Sequence, residues 1–175
     1  MYHAIHKFQQ RRWGEDADTR ATHVRVYLNG RFFEATTPAC RWTELDALQL
    51  EKKKWSVVRY IGPISPIGPI KALDSAAMLH AAYNLIHTPY DKGDLLDFAL
   101  SGWLGRAANT ISLFGDRANK YRVCSTAAAE VLQAGGAQFQ MPTTQVDPAY
   151  FANVTEDWHI VLKSSGTGFQ PVRAG

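Results

Sequence analysis

The sequence predicts an α+β domain in which a small antiparallel sheet packs against helices. Two alternating apolar and polar runs flank Asn29 and Gly30, and this dipeptide is the strongest short signal for a β-hairpin. Apolar residues recur at helical spacing after Asp74, and a second helix is predicted from about Cys124 to Ala134. The chain has 175 residues, the length of one ordinary domain, so we expect these elements to share one core.

The hairpin sequence covers residues 22–36, and a two-residue turn determines which of its positions face each other. The predicted pairs are Leu28 with Arg31, Tyr27 with Phe32, Val26 with Phe33 and Arg25 with Glu34. One face is apolar and should contact the core, with Val24, Val26, Leu28, Phe33 and Ala35. The other face carries His23, Arg25, Tyr27, Phe32, Glu34 and Thr36. There His23 and Glu34 are diagonal neighbours with Cβ atoms roughly 7–8 Å apart, so the carboxylate is expected to orient the imidazole.

The remaining elements follow from local signals. Asp74 is a predicted N-cap, and the helix after it should end before Pro89. Strands are predicted at residues 56–61 and 158–163, and a short helix at 94–104. The proline-rich residues 62–70 are interpreted as an ordered crossover. We therefore expect one domain at residues 1–163, followed by a flexible tail at residues 164–175.

Composition argues against two classes of partner. The net charge is +3, but the charges are dispersed, and the lysine run at residues 52–54 is interpreted as a solvated face. Arg11, Arg12 and Trp13 occur without any recognition module, so no nucleic-acid partner is expected. No apolar run approaches the roughly 20 residues of a membrane span, and the N-terminus lacks the build of a secretion signal. We expect a protein that does not span a membrane.

The cysteine count limits redox and metal chemistry. With only Cys40 and Cys124, the chain has no disulfide framework and no zinc site built on paired thiolates. His80 and His87 lie at helical spacing, but two histidines without further ligands are a weak basis for a metal site. We therefore expect neither a metal nor a cofactor. Cys40 is interpreted as a passive thiol, and His159 as a strand residue.

Cys124 falls at the predicted start of its helix. A thiol in that position feels the positive end of the helix dipole and unpaired backbone N–H groups, which favour the thiolate. The small side chains of residues 125–129 allow the helix to lie close to a sheet, which brings the thiol toward a base carried by a strand. Alone, such a cysteine is more often a small buried side chain. The shared face of His23 and Glu34 favours the functional interpretation.

Three segments resemble the permuted branch of the NlpC/P60 papain-like superfamily, which includes YiiX- and YaeF-like proteins and is related to lecithin retinol acyltransferase-like enzymes. Residues 22–36 are similar to its histidine strand and the strand that follows, residues 88–98 to its Pro-Tyr-Asp segment, and residues 121–136 to its cysteine helix. The resemblance implies a circularly permuted papain-like fold with the nucleophile at a helix N-terminus. The chain departs from the family before residue 22, where an Asp-rich strand is usual, and at residues 101–120, which look like an insertion.

The same resemblance implies roles for individual residues. Cys124 would be the nucleophile, His23 the base and Glu34 the residue that orients His23. The backbone N–H of Cys124 is a candidate oxyanion donor. Further oxyanion or pocket candidates are Tyr121, Ser125, Tyr90 and Asp91. Of these, the hydroxyl of Tyr121 could serve catalysis or packing equally, whereas Tyr90 and Asp91 are interpreted as structural or pocket-lining.

The expected function is a cysteine peptidase or amidase that cleaves an amide bond through a thioester, with peptidoglycan peptides as the substrate that the resemblance implies. One alternative is a thiol acyltransferase or lipid esterase of the lecithin retinol acyltransferase-like type, with an acyl lipid as substrate. Another is an idle structural or binding module of a phage or secretion assembly. Cytoplasmic, effector and phage-borne locations stay open, as does the oligomeric state.

Overall fold

The protein is described by a computed structural model that covers residues 2–19, 21–44, 56–62, 72–91, 122–154, 156–164 and 169–171. Within these ranges four α-helices and two three-stranded antiparallel sheets confirm the predicted α+β class. The helices are α1 (Tyr2–Trp13), α2 (Ser75–Leu85), α3 (Cys124–Ala134) and α4 (Tyr150–Asn153). The strands are β1 (Val26–Leu28), β2 (Arg31–Ala35), β3 (Cys40–Thr43), β4 (Ser56–Tyr60), β5 (Trp158–Ser164) and β6 (Phe169–Pro171). A single turn of 3₁₀ helix, Thr143–Gln145, precedes α4.

The first sheet has the order β1-β2-β3 and contains the predicted hairpin. The pairs of Val26 with Phe33, Tyr27 with Phe32 and Leu28 with Arg31 confirm the predicted register. Asn29 and Gly30 have φ angles of 47° and 85°, and a two-residue type I′ turn requires positive φ at both positions. The apolar face is buried, with Val26, Leu28, Phe33 and Ala35 in the core. The register therefore places the polar face on the other side of the sheet.

Helices α2 and α3 pack against each other, and α3 also packs against β2. Asp74 caps α2 as predicted, because its carboxylate accepts hydrogen bonds from the N–H groups of Ala76 and Ala77. Helix α3 ends in a Schellman motif in which Gly136 has a φ of 100° and the N–H of Ala137 donates to the carbonyl of Leu132. Both ends of the predicted cysteine helix thus lie where the sequence indicates.

The second sheet has the order β4-β5-β6, and all its strands are antiparallel. Strands β4 and β5 confirm two predicted strands. Strand β6 lies within residues 164–175, which were predicted to be a flexible tail, and its Phe169 pairs with Ser164 of β5. Aromatic side chains next to this sheet pack in edge-on and tilted pairs, among them Tyr60, Phe139, Tyr150, Phe151 and Trp158.

Helix α1 was not predicted from the sequence, and polar contacts attach it to the rest of the fold. The indole N–H of Trp13 lies 3.0 Å from Oδ2 of Asp147, and a guanidinium nitrogen of Arg12 lies 3.3 Å from the same oxygen. The fully buried Gln9 donates to the carbonyl of Ala21. Because these anchors are polar, an apolar periodicity could not reveal them. Arg12 and Trp13 both use these contacts to reach Asp147.

Some expectations lie outside the described residues. These are the lysine run at residues 52–54, the crossover at 63–70, the short helix at 94–104 and the hydroxyl of Tyr121. In the described part of the chain, no helix has the length and apolar character needed to cross a membrane.

Candidate active site

The hairpin and α3 bring Cys124, His23 and Glu34 together. Cys124 is the first residue of α3, and Glu34 lies in β2, against which that helix packs. His23 precedes β1 by three residues, and its Nε2 lies 2.8 Å from Oε2 of Glu34. The Cys124 side chain shares a hydrogen bond with the same imidazole. The three side chains therefore form a hydrogen-bonded series in which His23 occupies the middle.

The local sequence explains why Cys124, His23 and Glu34 lie close together. Strand alternation turns Glu34 away from the apolar face that carries Phe33 and Ala35, toward the side from which His23 approaches. Ala127 and Ala128 are almost completely buried, and side chains this small let α3 lie close to the sheet. The predicted diagonal relation between His23 and Glu34 becomes a direct contact in the structure.

Glu34 is bound by two arginines as well as by His23. Nε of Arg25 lies 2.7 Å from Oε2, and Nη2 of Arg41 lies 3.3 Å from Oε1. The Glu34 side chain is 1% exposed. Burial raises the pKa of this carboxyl, but the hydrogen bond from His23 and the charges of Arg25, His23 and Arg41 outweigh that effect and lower it to about 2. The carboxylate is therefore ionised throughout the ordinary pH range.

Contacts with Cys124 and Glu34 keep His23 in its charged form. Burial lowers the pKa of this imidazole, but the hydrogen bonds to Cys124 and Glu34, together with the negative charge of both partners, raise it to about 9. The side chain remains 36% exposed, so solvent reaches the imidazole. At neutral pH an imidazolium thus faces the sulfur of Cys124, which is itself 5% exposed.

Tyr90 and Asp91 lie in a backbone bridge that leads to Cys124. The N–H of Tyr90 donates to the carbonyl of Pro38, and the N–H of Asp91 donates to the carbonyl of Arg122. Asp91 is buried. Burial raises the pKa of the Tyr90 phenol, and the charges of Cys124 and Asp91 raise it further. Their interpretation as structural or pocket-lining residues stays a prediction.

The other candidates have simpler surroundings. Ser125 is buried in the first turn of α3. Burial raises the pKa of the Cys40 thiol to about 11, which fits the interpretation of a passive cysteine. His80 shares a hydrogen bond with Asn84 on the same helix. Among the described residues, no group of three or more metal-ligating side chains is arranged to hold an ion.

The ion pairs of Arg25 and Arg41 with Glu34 were not predicted from the sequence. The hairpin register places Arg25 opposite Glu34, which is a readable signal for that contact. Arg41 belongs to β3, a strand that was not predicted, and the pairing of β2 with β3 sets it directly across from Glu34. The one sequence signal for this strand is the short run around Trp42, which has no clear alternation.

Models of known protein families, curated proteins and solved structures were compared with this chain, and none of them matches it. The family resemblance therefore stays a prediction that depends on the three sequence segments.

Proposed function

We propose that this protein is a cysteine-dependent hydrolase with a circularly permuted papain-like arrangement, in which Cys124 is the nucleophile. The observation that carries the proposal is the hydrogen-bonded series Cys124–His23–Glu34. A nucleophile, a base and a group that orients the base are the three parts that acyl transfer by a thiol needs.

The reaction begins with Sγ of Cys124 as a thiolate opposite the imidazolium of His23. The sulfur attacks the carbonyl carbon of an amide, and the backbone N–H of Cys124 is the candidate donor to the oxyanion. Val123, the N-cap of α3, makes no side-chain capping hydrogen bond and so does not compete for the donors of the first turn. The C–N bond then breaks while His23 gives its proton to the departing amine. A thioester on Cys124 remains.

Water completes the cycle. His23, now neutral, accepts a proton from the water molecule that attacks the thioester carbonyl. The C–S bond breaks, the carboxylic acid leaves, and the thiolate and imidazolium are restored. Because Nε2 is bound to Glu34, Nδ1 is the ring nitrogen that remains for these proton transfers. The expected substrate is a peptide amide, with peptidoglycan peptides as the class that the resemblance implies.

The test is the rate of alkylation by iodoacetamide between pH 5 and pH 10, followed by mass spectrometry of each cysteine. We expect rapid modification of Cys124 at neutral pH, none at that site in Cys124→Ala, slower modification in His23→Ala and no change in Cys40→Ala. Modification of Cys124 and Cys40 at one common rate, typical of ordinary thiols, would show that Cys124 is not activated. That result would favour the idle structural module.

A further inference from the structure

Four nitrogen atoms from three side chains surround the Glu34 carboxylate. Oε2 lies 2.8 Å from Nε2 of His23 and 2.7 Å from Nε of Arg25. Oε1 accepts hydrogen bonds from Nε and Nη2 of Arg41, each at 3.3 Å. An ionised carboxylate has about four lone-pair sites. His23 and the two arginines together therefore match the whole acceptor capacity of this acid.

The acid needs these contacts because it is buried. The Glu34 side chain is 1% exposed, so water cannot solvate its charge. A buried carboxylate is costly in free energy unless it is paired and hydrogen-bonded. The partners reach it from two directions, because His23 and Arg25 precede β1 whereas Arg41 lies in β3, and β2 is the strand between them. The Glu34 carboxylate is thus fixed from both sides of its own strand.

The arginines also weaken the attraction between Glu34 and a charged imidazole. Arg25 and His23 contact the same oxygen, so a protonated His23 has a second positive charge at close range, and like charges repel. Arg41 contacts the other oxygen and partly neutralises the same negative charge. Without the two guanidinium groups, a bare buried carboxylate would hold the imidazolium more tightly.

This attraction matters most while the thioester is present. Cys124 and Glu34 are the two acids whose contacts raise the pKa of His23. In the thioester the sulfur of Cys124 is bonded to the acyl group and has no charge, so Glu34 becomes the anion that favours the imidazolium. Hydrolysis of the thioester needs the opposite form of His23, because a neutral imidazole must accept the proton of the attacking water. Too strong a hold by Glu34 would therefore slow this step at neutral pH.

We propose that Arg25 and Arg41 are positioning residues that act through Glu34. They fix its carboxylate beside His23 and offset part of its charge, so that the imidazole can serve as the base in thioester hydrolysis. This role rests on the proposed function, and it assigns the arginines to the second half of the reaction. The attack of Cys124 on the substrate, which uses the imidazolium, does not depend on them in the same way.

Turnover of p-nitrophenyl acetate by the full chain separates the two halves. The initial burst of nitrophenol reports acetylation of Cys124, and the steady rate that follows reports hydrolysis of the acetyl thioester. Arg25→Gln and Arg41→Gln should each keep the burst rate within about twofold of the parent. Each should lower the steady rate at pH 7 about three- to fivefold, the size of a partly exposed charge contact. The steady rate should recover at higher pH, where the imidazole of His23 becomes neutral.

Proton NMR titration of the His23 ring tests the cause without turnover. It is measured in Cys124→Ala, where the sulfur is absent and Glu34 with its arginines remains. Adding Arg25→Gln or Arg41→Gln to this variant should raise the pKa of His23, because a repelling charge is removed. A pKa that stays the same or falls would overturn the proposed role, since the arginines would then only hold Glu34 in place. Arg41 is 54% exposed, so Arg41→Gln is the variant that should disturb folding least.

Arg31→Gln is the matched control, because Arg31 lies on the same sheet but pairs with Glu44. It should leave the burst, the steady rate and its pH profile unchanged. Arg25→Lys and Arg41→Lys keep the charge and should restore the pH profile of the parent, whereas lysine variants that behave like the glutamine variants would overturn a role based on charge.

Failure of the proposed function looks different from failure of this role. If the protein is not a cysteine-dependent hydrolase, the parent shows no burst from Cys124, whatever the residues at positions 25 and 41. If a burst occurs but both glutamine variants keep the steady rate and pH profile of the parent, only the role of the arginines is overturned.

Discussion

Cys40 and Cys124 are both buried, and a single backbone segment hydrogen-bonds beside each of them. The segment is residues 88–91. The N–H of Cys40 donates to the carbonyl of Thr88 in this segment. The N–H of Asp91, at its other end, donates to the carbonyl of Arg122, two residues before Cys124. The two thiols nevertheless have different surroundings. Burial raises the pKa of Cys40 to about 11, so roughly one molecule in ten thousand carries that thiolate at pH 7.

The difference comes from the charges that each sulfur faces. Near Cys40, the charge of Arg122 lowers the pKa while that of Glu130 raises it, and these two residues form an ion pair with each other. Because these two effects on the Cys40 pKa oppose each other, burial is the main reason that this pKa is raised. Cys124 instead shares a hydrogen bond with His23, whose pKa of about 9 keeps the ring charged at neutral pH. Burial thus raises the pKa of Cys40, whereas Cys124 faces an imidazolium.

The largest effect is expected from removing each cysteine in turn. We predict that p-nitrophenyl acetate acetylates Cys124, with release of nitrophenol measured by absorbance and the adduct located by mass spectrometry. Cys124→Ala should lower the rate about a thousandfold or more, because the nucleophile is lost. Cys40→Ala should change it by less than about twofold. Acetylation of Cys40 in the parent protein would contradict the contrast between the two sites.

His23→Gln should have the next largest effect. Glutamine keeps a hydrogen-bonding side chain but cannot carry the proton, so acetylation of Cys124 should slow by about a hundredfold. His80→Gln is the matched control, because this histidine lies on α2 and contacts Asn84. The measurement is the same nitrophenol release at pH 7. Equal rates in the two variants would remove His23 from the mechanism.

The sequence predicted the parts of the fold that depend on local signals. The Asn29–Gly30 turn determines the hairpin register, and this register puts His23 and Glu34 on one face. Asp74 marks the start of α2 for an equally local reason, because its carboxylate caps the first turn. These features could be read because each depends on a short stretch of the chain, at most eleven positions in the case of His23 and Glu34.

Contacts between distant segments could not be read in this way. Helix α1 is attached through the buried carboxylate of Asp147, more than a hundred residues away. Arg41 reaches Glu34 through the pairing of β2 with β3, which connects through a turn without an Asn-Gly signal. Polar attachments of this kind leave no periodicity in the chain, so the contact of Arg41 with Glu34 was visible only in the structure.

Replacing the acid tests how Glu34 supports the difference between the two thiols. In Glu34→Gln the hydrogen bond and negative charge that raise the pKa of His23 are weakened, so this pKa should fall from about 9 toward 6.5. The imidazolium would then lose its proton at a lower pH than in the parent protein, where the pKa of His23 is about 9. Nitrophenol release at pH 8 should decrease by about tenfold and recover partly at pH 6.

The proton NMR titration of the His23 ring measures this shift directly. Glu44→Gln is the control, because Glu44 pairs with Arg31 at an exposed position of the same sheet. An unchanged His23 pKa in Glu34→Gln would mean that the contact with Cys124 alone keeps His23 charged. The contrast with Cys40 would then depend on that single contact.

The smallest effect concerns Cys40, and it shows what that thiol does. Cys40 is 1% exposed and pairs with Ala35 across β2 and β3. Serine is close to cysteine in size, but its hydroxyl loses a water partner on burial, so Cys40→Ser should lower the free energy of unfolding by about 1–2 kcal/mol. Cys40→Ala, which removes only the sulfur contacts, should cost about 1 kcal/mol. Urea denaturation measures the free energy of unfolding of both variants.

If Cys40 only packs, both folded variants keep the alkylation rate of Cys124. Any change in that rate would show that the segment joining the two thiols couples them.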